Sequence, residues 1–131
     1  MTDTIANPDD DGRKTILAVD DSASMRMLLR VALTDLGYAV VDAEDGVHAL
    51  EKLNGFEPDL LITDINMPRM DGFGLIAKVR GLGRSGLPIL VLTTESSDEK
   101  KQRARAAGAT GWIVKPFHPD KLAAAIRRVL H

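Results

Sequence analysis

The sequence predicts an α/β protein in which a doubly wound, parallel five-stranded sheet carries five helices in a (βα)5 arrangement. Five short apolar runs alternate with five stretches of helical periodicity along most of the 131-residue chain. Unbroken apolar runs are typical of strands that helices cover on both faces, and strict alternation with helices is typical of parallel sheets. Ligands bind at the carboxyl ends of such strands, so the residues at those ends are the candidates for function.

The first two strand–helix units have clear boundaries. The first strand is predicted over residues 15–19, and Ser22 or Ser24 can cap the helix that follows it. The apolar residues of this helix recur at helical spacing, and we expect them to face the core: Met25, Leu28, Leu29, Ala32, Leu33 and Leu36. The second strand is predicted over residues 39–43, with a short helix over residues 46–53.

The last three units follow the same alternation. We predict strands and helices over residues 60–63 and 72–82, over residues 88–92 and 98–107, and over residues 111–114 and 119–130. The fourth helix is the weakest element, since Ala104 and Ala107 are its only obvious inward residues. A thin apolar face indicates loose packing, so we expect this helix to be a candidate for movement.

The composition excludes several classes of function. Hydrophobic residues make up 44% of the chain and charged residues 27%, and the net charge is −2, which gives no electrostatic reason to bind nucleic acid or a membrane surface. No cysteine is present, which excludes disulfides and thiolate chemistry. No segment is apolar enough to cross a membrane, so we expect a cytoplasmic protein. Residues 1–13 are expected to form a flexible acidic tail and residues 14–131 the folded domain.

Polar side chains follow four of the five predicted strands. Asp20 and Asp21 follow the first strand, Asp64 the third, Thr93 the fourth and Lys115 the fifth. Each has an ordinary explanation by itself, as a helix-capping acid, a turn residue or a solvated lysine. Because parallel strands end at the same edge of a sheet, we expect all of them to meet there and to form a site.

The types of these side chains indicate phosphoryl chemistry. Clustered carboxylates repel one another unless a cation neutralises them, and hard oxygen ligands without Cys or His favour Mg²⁺. Lys115 adds a compact positive charge, and Thr93 adds a hydroxyl donor. Asp64 is then the natural nucleophile, because a carboxylate can form an acyl phosphate. The chain lacks a G-x-x-x-x-G-K-[ST] loop, so a nucleotide triphosphatase is not supported.

Four segments resemble the motifs of two-component response-regulator receiver domains: Val19-Asp20-Asp21-Ser22, the stretch from Ile62 to Gly72, Leu92-Thr93-Thr94, and Val114-Lys115-Pro116-Phe117. The resemblance covers about residues 14–130 and is greatest to the stand-alone, CheY-like type of chemotaxis. It implies a flavodoxin-like fold with strand order 2-1-3-4-5. It also implies a cis peptide bond between Lys115 and Pro116.

The resemblance assigns a role to each residue of the expected site. Asp64 would be the phosphoacceptor, and Lys115 would pair with the phosphoryl group. The cofactor would be Mg²⁺, bound by Asp21, Asp64 and the backbone carbonyl of Asn66, while Asp20 would act largely through water. Each of these roles is what membership of the family implies for the matching position of this chain.

The resemblance also implies a switch from phosphorylation to partner binding. Thr93 would move toward the phosphoryl group and draw in residue 112, while Asn66 and Glu95 would tune the rate of dephosphorylation. Position 112 usually holds Tyr, Phe or His in this family, but here it is Trp112, and Thr94 stands where a small residue is usual. We expect phosphorylation to survive both departures, whereas an indole could alter the inward movement.

The implied function is a phosphorylation-operated binding module that catalyses only its own phosphorylation and dephosphorylation. Its partners would be a CheA-like sensor histidine kinase or its phosphotransfer domain and, in chemotaxis, a flagellar motor switch protein. One alternative is a phosphate sink or intermediate phosphorelay receiver without a motor target. Another is an aspartyl-phosphate phosphohydrolase, which is disfavoured because Asn66 cannot protonate a leaving group and no lid insertion is present.

Overall fold

The computed structural model describes residues 12–130, so most of the predicted acidic tail, residues 1–13, lies outside the described residues. Within that range five strands alternate with five helices, as predicted. The elements are β1 (Thr15–Val19), α1 (Ala23–Asp35), β2 (Ala39–Ala43), α2 (Gly46–Leu53), β3 (Leu60–Thr63), α3 (Gly72–Gly81), β4 (Ile89–Thr93), α4 (Asp98–Ala107), β5 (Gly111–Val114) and α5 (Pro119–Val129). None of the described helices has the length and apolar character of a membrane span.

Side-chain caps explain where four of the helices begin. Ser22, Asp45, Asp71 and Ser97 each accept a hydrogen bond from the backbone N–H three residues further along, which satisfies one of the free donors of the first turn. Ser22, and not Ser24, is therefore the cap of α1. Helix α5 begins instead with Pro119, whose fixed φ suits the first turn.

All neighbouring strands of the sheet are parallel, and their order is β2-β1-β3-β4-β5, which confirms the predicted fold class and the strand order that the resemblance implied. The strands β1 and β3 lie side by side, with Val19 opposite Thr63. The direction of winding reverses between these two strands. The carboxyl ends of β1 and β3 therefore border the crevice where this architecture binds ligands.

Two apolar clusters fill the space between the sheet and its helices. One contains Leu17 of β1 and packs against α2, α3 and α4, and the other contains Ile16 of the same strand and packs against α1 and α5. Neighbouring residues of one strand point to opposite faces, so both Leu17 and Ile16 are fully buried. This double burial explains why the strands contain unbroken apolar runs.

The predicted inward face of α1 is partly wrong. Leu29 and Leu33 are buried, but Leu28 and Leu36 are 56% and 39% exposed. The six apolar residues that we expected to face the core cover a wider arc of the helix than the sheet can bury. Leu28 precedes the buried Leu29 by one residue. One residue rotates a side chain by about 100° around the helix axis, which turns Leu28 toward solvent.

Three elements also differ from the prediction in their boundaries, and one of them is α5, which ends at Val129 rather than at residue 130. Helix α3 ends at Gly81, with Leu82 as its cap, and β4 spans Ile89–Thr93 rather than residues 88–92. Thr93 is consequently the last residue of a buried strand. Helix α4 buries only Ala104, which confirms its thin apolar face, while its capacity to move stays a prediction.

Candidate functional site

Three carboxylates meet at the carboxyl edge of the sheet. Asp20 follows β1 and Asp64 follows β3, and backbone hydrogen bonds from Asp20 N to Ala43 O (3.1 Å) and from Asp64 N to Val19 O (3.0 Å) fix both residues at the rim. One carboxylate oxygen each of Asp20, Asp21 and Asp64 lie within 4.8 Å of one another. Asp20 and Asp64 are buried, whereas Asp21 is exposed, so the cluster opens to solvent on one side.

Lys115 connects two of these carboxylates. Its Nζ lies 2.6 Å from Asp20 Oδ2 and 2.7 Å from Asp64 Oδ2, and its side chain is only 10% exposed. Burial lowers the pKa of the Lys115 ammonium, but the hydrogen bonds to Asp20 and Asp64 outweigh burial, and the pKa lies above its ordinary value. Lys115 therefore stays charged at neutral pH. The peptide bond from Lys115 to Pro116 is cis, as the resemblance implied.

The carboxylate of Asp64 is oriented through both of its oxygens. Oδ1 accepts hydrogen bonds from the backbone N–H of Ile65 (2.6 Å) and of Asn66 (3.4 Å), while Oδ2 faces Lys115. The preceding Thr63 hydroxyl donates to the carbonyl oxygen of Asp64 at 2.8 Å, which fixes the backbone. The orientation of this carboxylate is therefore fixed by the protein itself.

The donor set fits a hard divalent cation. The cluster holds three carboxylates, and Lys115 contacts two of them, so an excess of negative charge remains that a cation would neutralise. All the available side-chain donors are oxygens, which suits Mg²⁺. The hydrogen bond from the Asn66 N–H to Asp64 also places the backbone of Asn66 beside the cluster. Asp20, Asp21, Asp64 and the carbonyl of Asn66 are the residues that could hold such an ion.

Glu95 connects the loop after β3 with helix α4. Its Oε2 accepts a hydrogen bond from Asn66 Nδ2 (2.9 Å), and its Oε1 lies 2.9 Å from Lys100 Nζ. The hydrogen bond from Asn66, followed by that from Lys100, lowers the pKa of Glu95. The backbone N–H of Glu95 donates to the hydroxyl of the fully buried Thr93 at 3.3 Å. The two residues that were expected to tune dephosphorylation, Asn66 and Glu95, are thus in direct contact.

Trp112 packs against the core with its ring and makes a hydrogen bond near the surface with its N–H. Its half-buried ring packs against the apolar cluster under α2, α3 and α4. Its Nε1 donates a hydrogen bond to the backbone carbonyl of Glu95 at 3.1 Å. The indole therefore holds the loop between β4 and α4, and this partner is one that the sequence did not indicate.

The sequence did not predict the ion pair that connects Arg69, in the loop after β3, with Asp45 at the start of α2. Arg69 Nε lies 2.7 Å from Asp45 Oδ2, and Arg69 Nη2 lies 3.0 Å from Asp45 Oδ1. The side-chain hydrogen bond from Arg69 is the largest influence that lowers the pKa of Asp45. Asp45-Gly46 before a helical pattern is a recognisable capping signal. The arginine partner lies 24 residues away, and no local pattern identifies it.

The fold and the chemistry of this rim define a class of protein. The family described as response regulator receiver domain matches residues 16–127 of the chain. The chain therefore belongs to this family, as the resemblance predicted. Receiver domains are signalling modules that receive phosphate from histidine kinases, and they are not classical enzymes.

Individual relatives include chemotaxis proteins. The chain is 43% identical to chemotaxis protein CheY1 of Helicobacter pylori over 118 residues, which cover 88% of this chain and 95% of CheY1. The structure of chemotaxis protein CheY4 of Vibrio cholerae has a TM-score of 0.87 and 48% identity, and the match covers 90% of this chain and 99% of CheY4. Response regulator TrrA of Thermotoga maritima, solved in complex with Mg²⁺-BeF, has a TM-score of 0.81 and 33% identity, with 89% and 99% covered.

Other relatives are longer proteins of a different kind. Probable transcriptional regulators of Porphyridium aerugineum and Guillardia theta are 39% and 40% identical to the chain over 118 residues. The chain spans about half of their length, since the matches cover 48% and 46% of them. The family thus joins chemotaxis proteins and transcriptional regulators, and membership alone does not choose between these outputs.

Proposed function

We propose that this protein is a response regulator whose receiver domain accepts a phosphoryl group on Asp64 from the phosphohistidine of a histidine kinase. The reaction depends on Mg²⁺, and the phosphorylated protein binds a partner through the surface near α4 and β5. The observation that carries this proposal is the position of Lys115, whose ammonium bridges Asp64 and Asp20 in the middle of the acid cluster. A catalytic carboxylate, a fixed cation and an oxygen-donor metal site are the parts that phosphoryl transfer needs.

The transfer exchanges one bond to phosphorus for another. An oxygen of Asp64 attacks the phosphorus in line with the leaving imidazole, and the P–N bond breaks as the P–O bond forms. The electron pair of the broken bond stays on the imidazole nitrogen. If the other ring nitrogen carries a proton, the donor leaves as neutral histidine, and otherwise the departing nitrogen takes up a proton from solvent. Asp21, Asp64 and the carbonyl of Asn66, with Asp20 largely through water, would hold Mg²⁺, which would neutralise charge on the phosphoryl oxygens.

Lys115 and Thr93 act on the product of the transfer. Lys115 already contacts Asp64 and would pair with a phosphoryl oxygen once the acyl phosphate has formed. Thr93 lies at the end of β4, and its hydroxyl accepts a hydrogen bond from the Glu95 N–H. A rotation of Thr93 that lets the hydroxyl donate to a phosphoryl oxygen would break that bond. Such a change would reach Trp112 through the backbone carbonyl of Glu95. Phosphorylation would thereby alter the surface beside α4 and β5.

Chemotaxis is the cellular role that we propose. This role is supported by the chemotaxis proteins CheY1 of Helicobacter pylori and CheY4 of Vibrio cholerae, which are 43% and 48% identical to the chain. A CheA-like kinase would then be the phosphodonor in the cytoplasm and a flagellar motor switch protein the target. Binding of the phosphorylated protein to isolated motor switch protein tests this role. No gain in affinity on phosphorylation would favour a phosphate sink or phosphorelay intermediate.

Intact mass after incubation with acetyl phosphate tests the phosphoacceptor assignment. We expect one phosphoryl adduct on the wild-type protein with Mg²⁺, and no adduct without Mg²⁺ or in Asp64→Asn. The matched control is Asp59→Asn, which changes an exposed aspartate next to the same strand without touching the acid cluster. Persistent labelling of Asp64→Asn would contradict the choice of Asp64, and labelling in EDTA would contradict the dependence on Mg²⁺.

A further inference from the structure

Arg69 belongs to the loop after β3 that also carries Asn66, and its ion pair connects this loop to Asp45 at the start of α2. We propose that Arg69 is a positioning residue for the metal site: its ion pair with Asp45 holds the loop after β3 so that the backbone of Asn66 stays beside Asp64. This inference rests on the proposed function, because it assumes that a divalent cation binds at the acid cluster. Arg69 itself contacts none of the three carboxylates among the contacts of the described residues.

The two ends of this loop are fixed without Arg69. The backbone N–H of Gly72 donates to the carbonyl oxygen of Ile65 at 2.8 Å, which closes the loop at its base. A Cβ on Gly72 would overlap the carbonyl oxygen of Asp64, so the start of α3 lies directly against the site. The residues between Ile65 and Gly72 have no strand or helix to hold them. Within this segment the backbone N–H of Met70 donates to the carbonyl oxygen of Pro68 at 2.7 Å, and the rest of the conformation depends on side-chain contacts.

Arg69 has an unfavourable backbone conformation that its side chain compensates. Its φ is 66°, and it is the one non-glycine residue with positive φ in the part of the chain that the structure describes. Such conformations persist only where the surroundings hold them in place. The guanidinium makes a two-pronged contact with Asp45, through Nε at 2.7 Å and Nη2 at 3.0 Å. This paired geometry is the most orientation-specific contact between charged side chains.

Asp45 is a rigid anchor for that contact. Its residue is only 3% exposed, and its Oδ1 also accepts the backbone N–H of His48 at 2.8 Å as the cap of α2. The loop after β3 packs closely against the same end of α2. A Cβ added to Gly46 of this helix would come within 2.8 Å of Met70 Cγ in the loop. On the opposite side, Asn66 donates to Glu95. Asn66 is therefore held between an anchor on α2 and an anchor near α4.

Positioning and simple electrostatics predict opposite effects of removing Arg69. The guanidinium is a positive charge near a cation site, so charge alone predicts that Arg69→Ala binds a divalent cation more tightly. Loss of the ion pair releases the loop that presents the carbonyl of Asn66, so positioning predicts weaker binding. The sign of the change separates the two explanations.

Direct binding of Mn²⁺, followed by the electron paramagnetic resonance signal of the free ion, measures that sign without any phosphorylation. We expect Arg69→Ala to raise the Kd for Mn²⁺ by about tenfold, which is typical for partners that orient metal ligands. Arg69→Lys keeps the positive charge but loses the two-pronged contact, so its Kd should lie between those of the wild type and Arg69→Ala. Arg30→Ala is the matched control, since Arg30 also pairs with an aspartate, Asp42, at 3.4 Å, and its Kd should match the wild type.

The double variant Asp45→Asn with Arg69→Gln removes one charge of each sign and keeps an acceptor for the cap of α2, so charge alone predicts little change and the variant tests the inference even if Arg69→Ala folds poorly. We expect it to weaken Mn²⁺ binding as Arg69→Ala does. Unchanged or tighter binding by Arg69→Ala, with a wild type that binds Mn²⁺, would overturn the inference alone. A wild type that does not bind Mn²⁺ would overturn the proposed metal site and this inference together.

Discussion

The centre of the sheet and the corner formed by α4 and β5 differ in how deeply they are packed. Every residue of β3 is buried, and of β1 only Thr15 is not, and the two strands end in the buried carboxylates of Asp20 and Asp64. At the corner, α4 buries only Ala104, and no residue of the edge strand β5 is fully buried. The corner therefore depends more on contacts between polar side chains than the centre of the sheet does.

This difference in packing indicates that the centre of the sheet is rigid, whereas the corner of α4 and β5 can change conformation. The carboxylates that would do chemistry extend from strands that cannot shift without opening the core, so their geometry is fixed before any ligand arrives. The corner has few apolar contacts to lose, and elements of that kind open at a low free-energy cost. Glu95 joins the two regions, because it bonds Asn66 on one side and Lys100 on the other.

The largest expected effect is a contrast in stability between the two regions. Leu61→Ala, in the centre of the buried sheet, should lower the free energy of unfolding by about 2–5 kcal/mol, because it removes a fully buried side chain and leaves a cavity. Ile113→Ala, on the partly covered edge strand, should cost roughly 1 kcal/mol. Urea unfolding of both variants measures the contrast, and equal losses would contradict the difference in packing.

A smaller effect is expected from the contact that joins Trp112 to the loop after β4. Trp112→Phe keeps most of the ring but removes the hydrogen bond to the carbonyl of Glu95, so it should cost about 1 kcal/mol in urea unfolding. The adduct with acetyl phosphate should form as in the wild type, because Trp112 belongs to the corner. If the variant fails to form the adduct, the centre and the corner do not work separately.

The smallest expected effect is a pH dependence of stability that comes from the ion pair between Arg69 and Asp45. Arg69 lowers the pKa of Asp45 in the folded protein, so the charged carboxylate stabilises the fold above its ordinary pKa of about 3.8. That contribution is lost as the pH falls through the lower, folded-state pKa. The stability difference between wild type and Asp45→Asn should be constant from about pH 7 to pH 5 and shrink below about pH 4. A difference that persists unchanged to pH 2 in urea unfolding would contradict the ion pair.

Several parts of this protein could be predicted from the sequence because they depend on neighbouring residues. Unbroken apolar runs identify the five strands, periodicity identifies the helices, and capping residues such as Ser22 mark helix starts. The strand-end residues Asp20, Asp64 and Lys115 could be grouped because parallel strands always end at the same edge. Their roles in phosphoryl transfer stay predictions that the experiments above address.

Only the tertiary structure decided which distant groups meet and which apolar residues are covered. Arg69 reaches Asp45 across 24 positions of the chain, and Trp112 reaches the carbonyl of Glu95 across 17. Leu28 fits the helical pattern of α1 but faces solvent, since burial depends on how much of the helix the sheet covers. Periodicity carries information on a local scale, whereas such pairings and burial depend on the relative placement of whole elements.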